Sequence, residues 1–327
     1  MKEQKNEMNR NRTEEFKRNE QLELYLKKLN SLLDQIEEPE TDAPDFPLVF
    51  IVGVPRCGST LLLQILAKNN FAYPSNIIAR FYNKPYIGAL VQKVLAEEDR
   101  DKQIDINKKI SFNSKLGRTY GGLNVSEFWY YWRRFFDFGE IQKLSEEKLW
   151  QTDTDKFKNG LYQLIKIYQK PLALKAMILN WHLDYLSDII KNSIFVYIKR
   201  DLKYIAQSLL QAREKFFGGY QNWFSYKPPE YKWLKELEPE KQVAGQAFFT
   251  QEAIENGLQK IDSQRVLDIN YENLCQNPKG IYSLISKKVS QKIHYSGPQT
   301  FTISNKIKID QKKFKKLDQY IRELKNE

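Results

Sequence analysis

The feature that most constrains the fold is an apolar run followed at once by a glycine-rich turn and a second apolar run. The first run spans residues 48–52 and the second spans residues 61–66. A short apolar run bounded by turn residues is typical of a fully buried strand, whereas the second run continues over the length of a helix. The segment therefore predicts a strand, a tight loop and a helix N-terminus in succession.

The loop itself has the skeleton of a phosphate-binding loop. Gly53 and Gly58 stand five positions apart, and Ser59 and Thr60 follow directly. Glycines let backbone N–H groups approach an anion closely, and the helix dipole adds partial positive charge there. The lysine of a nucleoside-triphosphate site is absent after Gly58, and Arg56 inside the loop supplies the cation instead. The alternative is an ordinary turn with Ser59 as a helix cap.

Charge composition indicates the sign of a ligand but not its identity. The 327 residues include 52 Lys and Arg against 41 Asp and Glu, a net charge of +11. An excess of this sign raises the local concentration of anions. Nucleotides, sulfated or phosphorylated sugars, nucleic acids and acidic membranes all fit it, as does a merely solvated lysine surface.

Cysteine and histidine usage argues against a metal site and against a disulfide framework. The chain has two cysteines, far apart, and two histidines, in no metal-ligand spacing. Two isolated thiols suit a reducing compartment. No apolar stretch reaches the roughly 18 residues of a membrane span, and the N-terminus lacks the apolar region of a signal peptide. We therefore expect a cytoplasmic protein with no metal and no membrane span.

The chain is predicted to divide into an N-terminal appendage and a single domain. Leucines and isoleucine recur every three or four positions and predict a helix from about residue 17 to 36, followed by an acidic, proline-containing linker. Residues 1–45 thus form a helix and linker, either docked on the main body or making a short coiled-coil contact. Residues 46–327 are predicted to form one domain.

Strand patterns and helix patterns alternate beyond the loop. Further strands are predicted at residues 172–175, 193–198 and 265–272. Helices are predicted at residues 85–95, 126–136, 155–168, 183–190, 202–216 and 281–289. This alternation predicts an α/β, P-loop-like fold in three layers, a central parallel sheet flanked by helices with helical and aromatic insertions. Residues 215–245 are interpreted as a long crossing segment.

The carboxyl ends of the predicted strands are the expected ligand-binding edge, because ligands of parallel sheets bind there. Three of these ends carry residues 53–60, 178–182 and 199–201, and basic residues occur at the first and the last. Two basic strand ends suit a nucleotide with two separate anionic groups.

Two segments resemble motifs of the sulfotransferases that use 3′-phosphoadenosine 5′-phosphosulfate. Residues 55–62, Pro-Arg-Cys-Gly-Ser-Thr-Leu-Leu, resemble the 5′-phosphosulfate loop of that family. Residues 197–213 are similar to its 3′-phosphate motif, with Arg200 and Asp201 after a strand and Ser208 on the next helix. The two motifs stand in the family's order on the expected elements. Shorter resemblances to bacterial-type members lie at residues 74–81, 117–119, 126–128 and 271–274.

The resemblance implies a donor, an acceptor and a set of donor-binding residues. The donor would be 3′-phosphoadenosine 5′-phosphosulfate, and the acceptor would be a hydroxyl or amine of a small molecule or carbohydrate. Arg56 and the loop amides would hold the 5′-phosphate and the sulfuryl oxygens and stabilise charge on the bridging oxygen. Arg200 and Ser208 would hold the 3′-phosphate. The donor-binding residues that the resemblance implies are Arg56, Cys57, Gly58, Ser59, Thr60, Leu61, Arg200 and Ser208.

A general base must take the acceptor proton. Glu127 matches the glutamate of the family's pattern, although Ser126 stands where a histidine usually precedes it. The aromatic residues beside Glu127 predict partial desolvation, which suits a base near neutral pH; a structural carboxylate is the alternative. His182, at a predicted strand end, is the second candidate. Lys175 is expected to reach the transferring group or to satisfy a carboxylate, and Arg118 to bind an acidic acceptor.

Two departures from the family pattern concern the loop cysteine and the C-terminal segment. Cys57 replaces a hydroxyl residue, and we expect its amide to remain a donor and its thiol pKa to fall at the helix N-terminus, making it oxidisable. The R-K-G-x-x-G motif of cytosolic aryl sulfotransferases is missing. Ser304, Asn305 and Lys306 are the candidate substitutes.

Two other classes of function are compatible with the sequence. A P-loop phosphotransferase would need the missing lysine and a magnesium ion. A non-enzymatic basic module for polyanions would show no nucleotide specificity. No nucleic-acid-binding motif occurs, and the aromatic residues are not interleaved with the lysine runs, so no nucleic acid partner is expected. The sequence predicts no particular oligomeric state.

Overall fold

A parallel sheet forms the centre of the fold. The computed structural model describes residues 9–106 and 110–326. The strands of the sheet are β1 (Leu48–Val52), β2 (Leu172–Lys175), β3 (Ser193–Lys199) and β4 (Val266–Asn270). Their order is β2-β1-β3-β4, and every residue of the central strand β1 is buried. The predicted α/β fold, with a parallel sheet flanked by helices, is confirmed.

The register of the sheet aligns the strand ends that carry the predicted site. Ile51 is paired with Lys175 on β2, and Val52 is paired with Tyr197 on β3. The loop after β1, the end of β2 and the residues after β3 therefore leave the sheet at the same edge. This is the edge at which ligands of parallel sheets bind.

Helices surround the sheet and follow its strands. In chain order, the α-helices of the described residues are α1 (Glu20–Leu33), α2 (Ser59–Lys68), α3 (Pro85–Gln92), α4 (Trp129–Phe135), α5 (Glu146–Trp150), α6 (Thr154–Tyr168), α7 (Leu183–Ile189), α8 (Leu202–Phe217), α9 (Tyr231–Leu234), α10 (Pro239–Leu258), α11 (Tyr271–Gln276), α12 (Pro278–Lys288) and α13 (Gln311–Asn326). α2 packs on β1 and β2, and its Leu62, Leu63, Ile65 and Leu66 are fully buried. Within the described residues, no helix combines the length and apolar character needed to cross a membrane.

Residues 215–245 differ from the crossing segment that the sequence predicts. They contain α9 and the start of α10, a helix of 20 residues that packs on α8 and α13. The buried face of α10 includes Gln242, Gln246 and Thr250 beside Val243, so apolar periodicity does not mark it. α13, in the basic C-terminal segment, is likewise missing from the predicted elements.

The segment before β1 packs on the main body, and α1 falls within the predicted N-terminal helix. Asn30 of α1 is 1% exposed and donates through its side-chain amide to the Arg80 carbonyl at 2.8 Å. Phe16, also buried, packs against Phe216 of α8 with ring centroids 4.4 Å apart. The appendage therefore contacts the helix that carries Ser208.

Candidate functional site

The loop after β1 turns so tightly that two of its positions require glycine. Gly58 has φ +108° directly before α2, and a Cβ there would lie 2.7 Å from the Tyr271 ring. A Cβ on Gly53, with φ +155°, would lie 2.6 Å from Sγ of Cys57. Arg56 has φ +78°, a conformation that non-glycine residues adopt rarely. The predicted strand, loop and helix N-terminus are therefore present, and the turn fixes where the Arg56 side chain leaves the backbone.

Cys57 occupies the core rather than the ligand side of this loop. Its side chain is fully buried, and its N–H donates to the Val54 carbonyl at 3.0 Å. Burial raises the pKa of the thiol and outweighs the lowering by a hydrogen bond at Ser59 and by the charge of Lys175. The expectations of a free amide and of a lowered thiol pKa are both wrong, because the tight turn uses the amide and desolvates the sulfur.

Lys175 and Glu127 form an ion pair at the ligand edge of the sheet. The Lys175 side chain is 6% exposed, and its ammonium also donates to Oγ1 of Thr60 at 3.2 Å. The Glu127 side chain is 44% exposed, so the expected desolvation by aromatic neighbours is wrong; the ion pair, rather than an apolar pocket, positions its carboxylate. The second carboxylate oxygen of Glu127 has no hydrogen-bond partner within the part of the chain that the structure describes.

Three polar groups converge on one point beside Gly117. A Cβ on this glycine would lie 3.4 Å from Oε1 of Glu127 and 3.8 Å from both Nη1 of Arg56 and Oγ1 of Thr60. Because Gly117, with φ +88°, has no side chain, that point stays open. A carboxylate, a guanidinium and a hydroxyl therefore face a common space, which suits a reaction that moves a proton beside an anionic oxygen.

The predicted 3′-phosphate residues are joined to the loop by hydrogen bonds. Arg56 donates from Nε to Oγ of Ser208 at 3.0 Å, and Arg200 donates from Nη1 to the Arg56 carbonyl at 2.7 Å. Arg200 also donates to Oγ of Ser304 at 3.0 Å and to Oδ1 of Asn305 at 2.9 Å. The C-terminal segment therefore brings two side chains to Arg200.

Arg56 and Arg200 form no ion pair with an acidic side chain of the described residues. Burial lowers the pKa of Arg56 and the neighbouring charge of Arg200 lowers it further, whereas the Glu127 carboxylate opposes both. Two like charges that are held together without an ion-paired carboxylate favour the binding of an anion.

Two residues singled out in the sequence lie elsewhere. His182 is 5% exposed, its Nε2 accepts from the Leu144 N–H at 2.8 Å, and it does not line the cavity described below. Burial lowers the pKa of His182 to about 4, although the Asp184 carboxylate partly opposes this, so the imidazole stays neutral and holds the backbone at Leu144. The Lys306 side chain is exposed, and its carbonyl accepts from the Gln207 side chain at 2.9 Å.

A cavity of about 730 Å³ joins the polar groups to an aromatic end. Its polar end includes Arg56, Lys175 and Arg200. Phe216 follows Ser208 by eight positions on α8, about 12 Å along the helix axis, and lines the opposite end. The aromatic residues that line the cavity are Tyr120, Trp129, Tyr130, Phe216, Phe217, Trp223, Phe224, Tyr226 and Tyr271.

Three arginines stand at the aromatic end: Arg12, Arg18 and Arg118. Of these, the sequence points only to Arg118 as a ligand-binding residue. Arg12 and Arg18 lie before α1 in the appendage, where no motif or periodicity marks them as part of a site. Their position follows from the packing of the appendage on α8.

The family comparison covers most of the chain. A model of the sulfotransferase family matches residues 47–288. Among curated proteins, the comparison found no significant match.

Similar solved structures are sulfotransferases of low sequence identity. Sulfotransferase STF9 from Mycobacterium avium is 11% identical over 93% of this chain and 72% of that chain, with a TM-score of 0.48. Sulfotransferase STF1 from Mycobacterium tuberculosis H37Rv is 13% identical over 92% of this chain and 75% of that chain, with a TM-score of 0.47. A sulfotransferase from Alicyclobacillus acidocaldarius is 11% identical over 86% of this chain and 93% of that chain, with a TM-score of 0.44. Likenesses of this size carry no argument about the chemistry of the present chain.

Proposed function

The chain belongs to the sulfotransferase family, and from this membership we propose that it transfers a sulfuryl group from 3′-phosphoadenosine 5′-phosphosulfate to a hydroxyl or amine of a small-molecule or carbohydrate acceptor. The observation that carries the proposal is the pair Arg56 and Arg200, two adjacent guanidinium groups with no carboxylate partner within the described ranges. A nucleotide with phosphate groups at both its 5′ and 3′ positions supplies the anions that such a pair favours.

The residues present fit this donor. Arg56 and the first amides of α2 would hold its 5′ end, since a helix N-terminus offers free N–H groups to an anion. Arg200 and Ser208 would hold the 3′-phosphate, exchanging hydrogen bonds that they now make to protein atoms for bonds to phosphate oxygens. The space beside Gly117 would receive the group that is transferred. When bound, the donor supplies a sulfuryl group activated by its linkage to a phosphate.

Glu127 is the proposed general base. Its Oε1 faces the space beside Gly117 and is held by Lys175, and the other oxygen of the same carboxylate, which has no hydrogen-bond partner within the described residues, would accept the proton. In the transfer, the acceptor oxygen forms a bond to sulfur while its proton passes to Glu127. The bond between sulfur and the bridging phosphate oxygen breaks, and its electron pair leaves on that oxygen.

Arg56 and Lys175 would stabilise the charge that develops on the leaving oxygen. Arg56 faces the space beside Gly117, and Lys175 donates at 3.2 Å to Oγ1 of Thr60, which faces the same space. Positive groups that are already fixed need no reorganisation during the reaction, and burial of Lys175 strengthens its field. The lysine would therefore both satisfy the carboxylate and act on the transferring group.

Nucleotide binding tests the proposal directly. Titration calorimetry compares 3′-phosphoadenosine 5′-phosphate with ATP–magnesium, and we expect the first to bind at least about 100-fold more tightly. A preference for ATP–magnesium would indicate a phosphotransferase. Equal, steeply salt-dependent binding of both nucleotides and heparin would indicate a polyanion-binding module. If the expected preference is found, transfer of labelled sulfate to a panel of phenols, alcohols and amines follows.

A further inference from the structure

Two of the arginines at the aromatic end share one backbone carbonyl as their hydrogen-bond acceptor. Arg12 and Arg118 each lie over the Phe216 ring, with the guanidinium carbon 5.1 Å from the ring centroid. Both donate to the Phe16 carbonyl, Arg12 at 3.5 Å and Arg118 at 3.3 Å. A single carbonyl oxygen therefore serves two cations that come from distant parts of the sequence, and each guanidinium makes one side-chain hydrogen bond within the described residues.

The two carboxylates near this cluster form ion pairs with Arg18 and Lys115 rather than with Arg12 or Arg118. Glu23 lies 4.0 Å from Arg18 and also accepts from the Tyr130 hydroxyl at 2.6 Å. Glu15 pairs with Lys115. Each of the two carboxylates thus forms its ion pair with another cation, and it acts on Arg12 or Arg118 only as a neighbouring charge that raises the pKa of the guanidinium.

Arg12 and Arg118 are the unmatched charges of the cluster. Neither forms an ion pair with a carboxylate of the described residues, and Nε of Arg12 is buried without a hydrogen-bond partner. Burial, together with the charges of Arg18 and Arg118, lowers the pKa of Arg12 to about 10. Positive charge without an ion-paired carboxylate costs free energy that an anionic ligand would recover.

A tight turn connects this cluster to the reacting groups. Lys115 and Arg118 exchange two backbone hydrogen bonds of 2.9 Å around Leu116 and Gly117, whose φ values are +51° and +88°, the pattern of a type I′ turn. Gly117 borders the space in front of Glu127, and Arg118 is the next residue. Gly117, Arg118 and Glu127 line the same cavity, so one small molecule bound there can contact both places.

We propose that the acceptor is an aromatic anion, whose carboxylate or similar group binds Arg12, Arg18 and Arg118 while its hydroxyl lies beside Glu127. Trp129 stacks on Tyr226, with ring centroids 6.1 Å apart and an interplanar angle of 22°, and gives a flat surface for the ring of the acceptor. Guanidinium groups bind carboxylates through paired hydrogen bonds, so they select for charge as well as position. The role of this molecule as acceptor rests on the proposed function, whereas its binding does not.

A matched pair of phenols tests the requirement for charge. The probes 3-(4-hydroxyphenyl)propanoate and its amide have nearly the same shape and differ by one negative charge. Their affinities are measured by quenching of tryptophan fluorescence, because Trp129 and Trp223 line the cavity, with and without saturating 3′-phosphoadenosine 5′-phosphate. We expect the carboxylate to bind at least about tenfold more tightly than the amide in both conditions.

Substitutions at the arginines locate the preference. Arg12→Gln and Arg118→Gln should each weaken carboxylate binding about tenfold and leave amide binding unchanged. Arg118→Lys, which keeps the charge but loses the planar fork, should give an intermediate affinity. Arg322→Gln is the matched control, because Arg322 on α13 has a side chain 73% exposed and pairs with Asp318; it should bind both probes as the wild type does.

Three results would overturn this proposal: equal affinity for the two probes, no binding of the carboxylate up to about 10 mM, or a preference that persists in the Arg12→Gln, Arg118→Gln double variant. Nucleotide calorimetry on the same samples keeps the two proposals separate. Nucleotide affinity should be the same in the wild type and in both glutamine variants, which also reports that they are folded. Failure of the wild type to bind the nucleotide would refute the sulfotransfer proposal. The preference for the carboxylate probe, measured without nucleotide, tests the arginine site independently of that outcome.

Discussion

The two ends of the cavity are built in different ways. The polar end, called the donor end after the proposed function, has Arg56 and Arg200 on the segments directly after β1 and β3, and its side chains are already joined, as Arg56 is to Ser208 and Arg200 is to Asn305. The aromatic end, called the acceptor end, is assembled from the appendage, the turn at residues 115–118 and the end of α8, and Arg12 and Arg118 share one backbone carbonyl. The ends of the strands thus place the two arginines of the first end, whereas the packing of the appendage on α8 brings Arg12 to the second.

Under the proposed function, the two ends have separate tasks that fall on separate parts of the chain. The family match extends from residue 47 to residue 288. It therefore includes Arg56 and Arg200 but not Arg12 or Arg18. Substitutions at the donor end should therefore change chemistry and nucleotide binding whatever the acceptor. Substitutions at the acceptor end should change which acceptor is used.

The largest effect is expected for Arg56→Ala at the donor end. This guanidinium holds Ser208 and faces the space beside Gly117, so its loss removes both donor contacts and stabilisation of the developing charge. We expect kcat/KM for sulfate transfer to fall by at least about 10³-fold. Arg322→Ala serves as the surface control. An Arg56→Ala protein within about tenfold of wild type would show that the loop does not hold the reacting group.

Glu127→Gln should give the next largest effect. The amide keeps the shape of the carboxylate but cannot take a proton, so kcat should fall by about 10²- to 10³-fold. Calorimetry should give an unchanged affinity for 3′-phosphoadenosine 5′-phosphate, because the proposal gives Glu127 no contact with the nucleotide. Full activity in this variant would remove Glu127 from the mechanism and leave its ion pair with Lys175 as a purely structural contact.

Arg200→Ala should mainly weaken donor binding. Loss of its charge-assisted hydrogen bonds to a phosphate should lower the affinity for 3′-phosphoadenosine 5′-phosphate by about 30- to 100-fold, measured by calorimetry. Adenosine 5′-phosphosulfate, which lacks the 3′-phosphate, is the matched ligand and should bind the wild type and the variant equally. The same loss for both nucleotides would mean that Arg200 acts on the loop through the Arg56 carbonyl rather than on the 3′-phosphate.

The contrast between the two ends also describes what the sequence could predict of the fold. β2 coincides with its predicted span, residues 172–175, because an apolar run between turn residues is a local signal. α10 shows the opposite case: Gln246 is buried on it and donates to the carbonyls of Phe224 at 2.9 Å and Tyr226 at 2.7 Å. A buried polar side chain whose partners lie on another segment interrupts the apolar pattern and hides the helix.

The same reasoning applies to the candidate site. Arg200 is predicted because a motif places it after a strand, and the structure brings it to the loop. Arg12 cannot be predicted, since it lies 106 positions before Arg118 in the sequence and joins it only when the appendage packs on α8. The pKa of the Cys57 thiol is predicted wrongly, because the sequence shows its position beside a helix N-terminus but not its burial, which depends on the whole core.

Substitution of His182 should change stability without changing activity, because His182 does not line the cavity. Its pKa is about 4 in the folded protein, lowered chiefly by burial, against roughly 6.5 in an unfolded chain. The unfolded state therefore takes up the proton more readily, so the stabilisation is complete above about pH 6.5 and is lost progressively as the pH falls towards 4. The difference corresponds to about 3 kcal/mol in the free energy of unfolding.

His182→Gln should remove this part of the pH dependence, since its amide oxygen can still accept from the Leu144 N–H but does not titrate. Urea unfolding at about pH 7 and about pH 4.5 gives the free energy of unfolding at each pH. The fall between the two pH values should be smaller in the variant than in the wild type. His294→Gln is the matched control, because His294 is exposed. Its free energy of unfolding should change with pH as that of the wild type does. Sulfate transfer near pH 7 should be unchanged in His182→Gln; a folded variant that had lost transfer would place the base at His182 and not at Glu127, against the separation of the two in the structure.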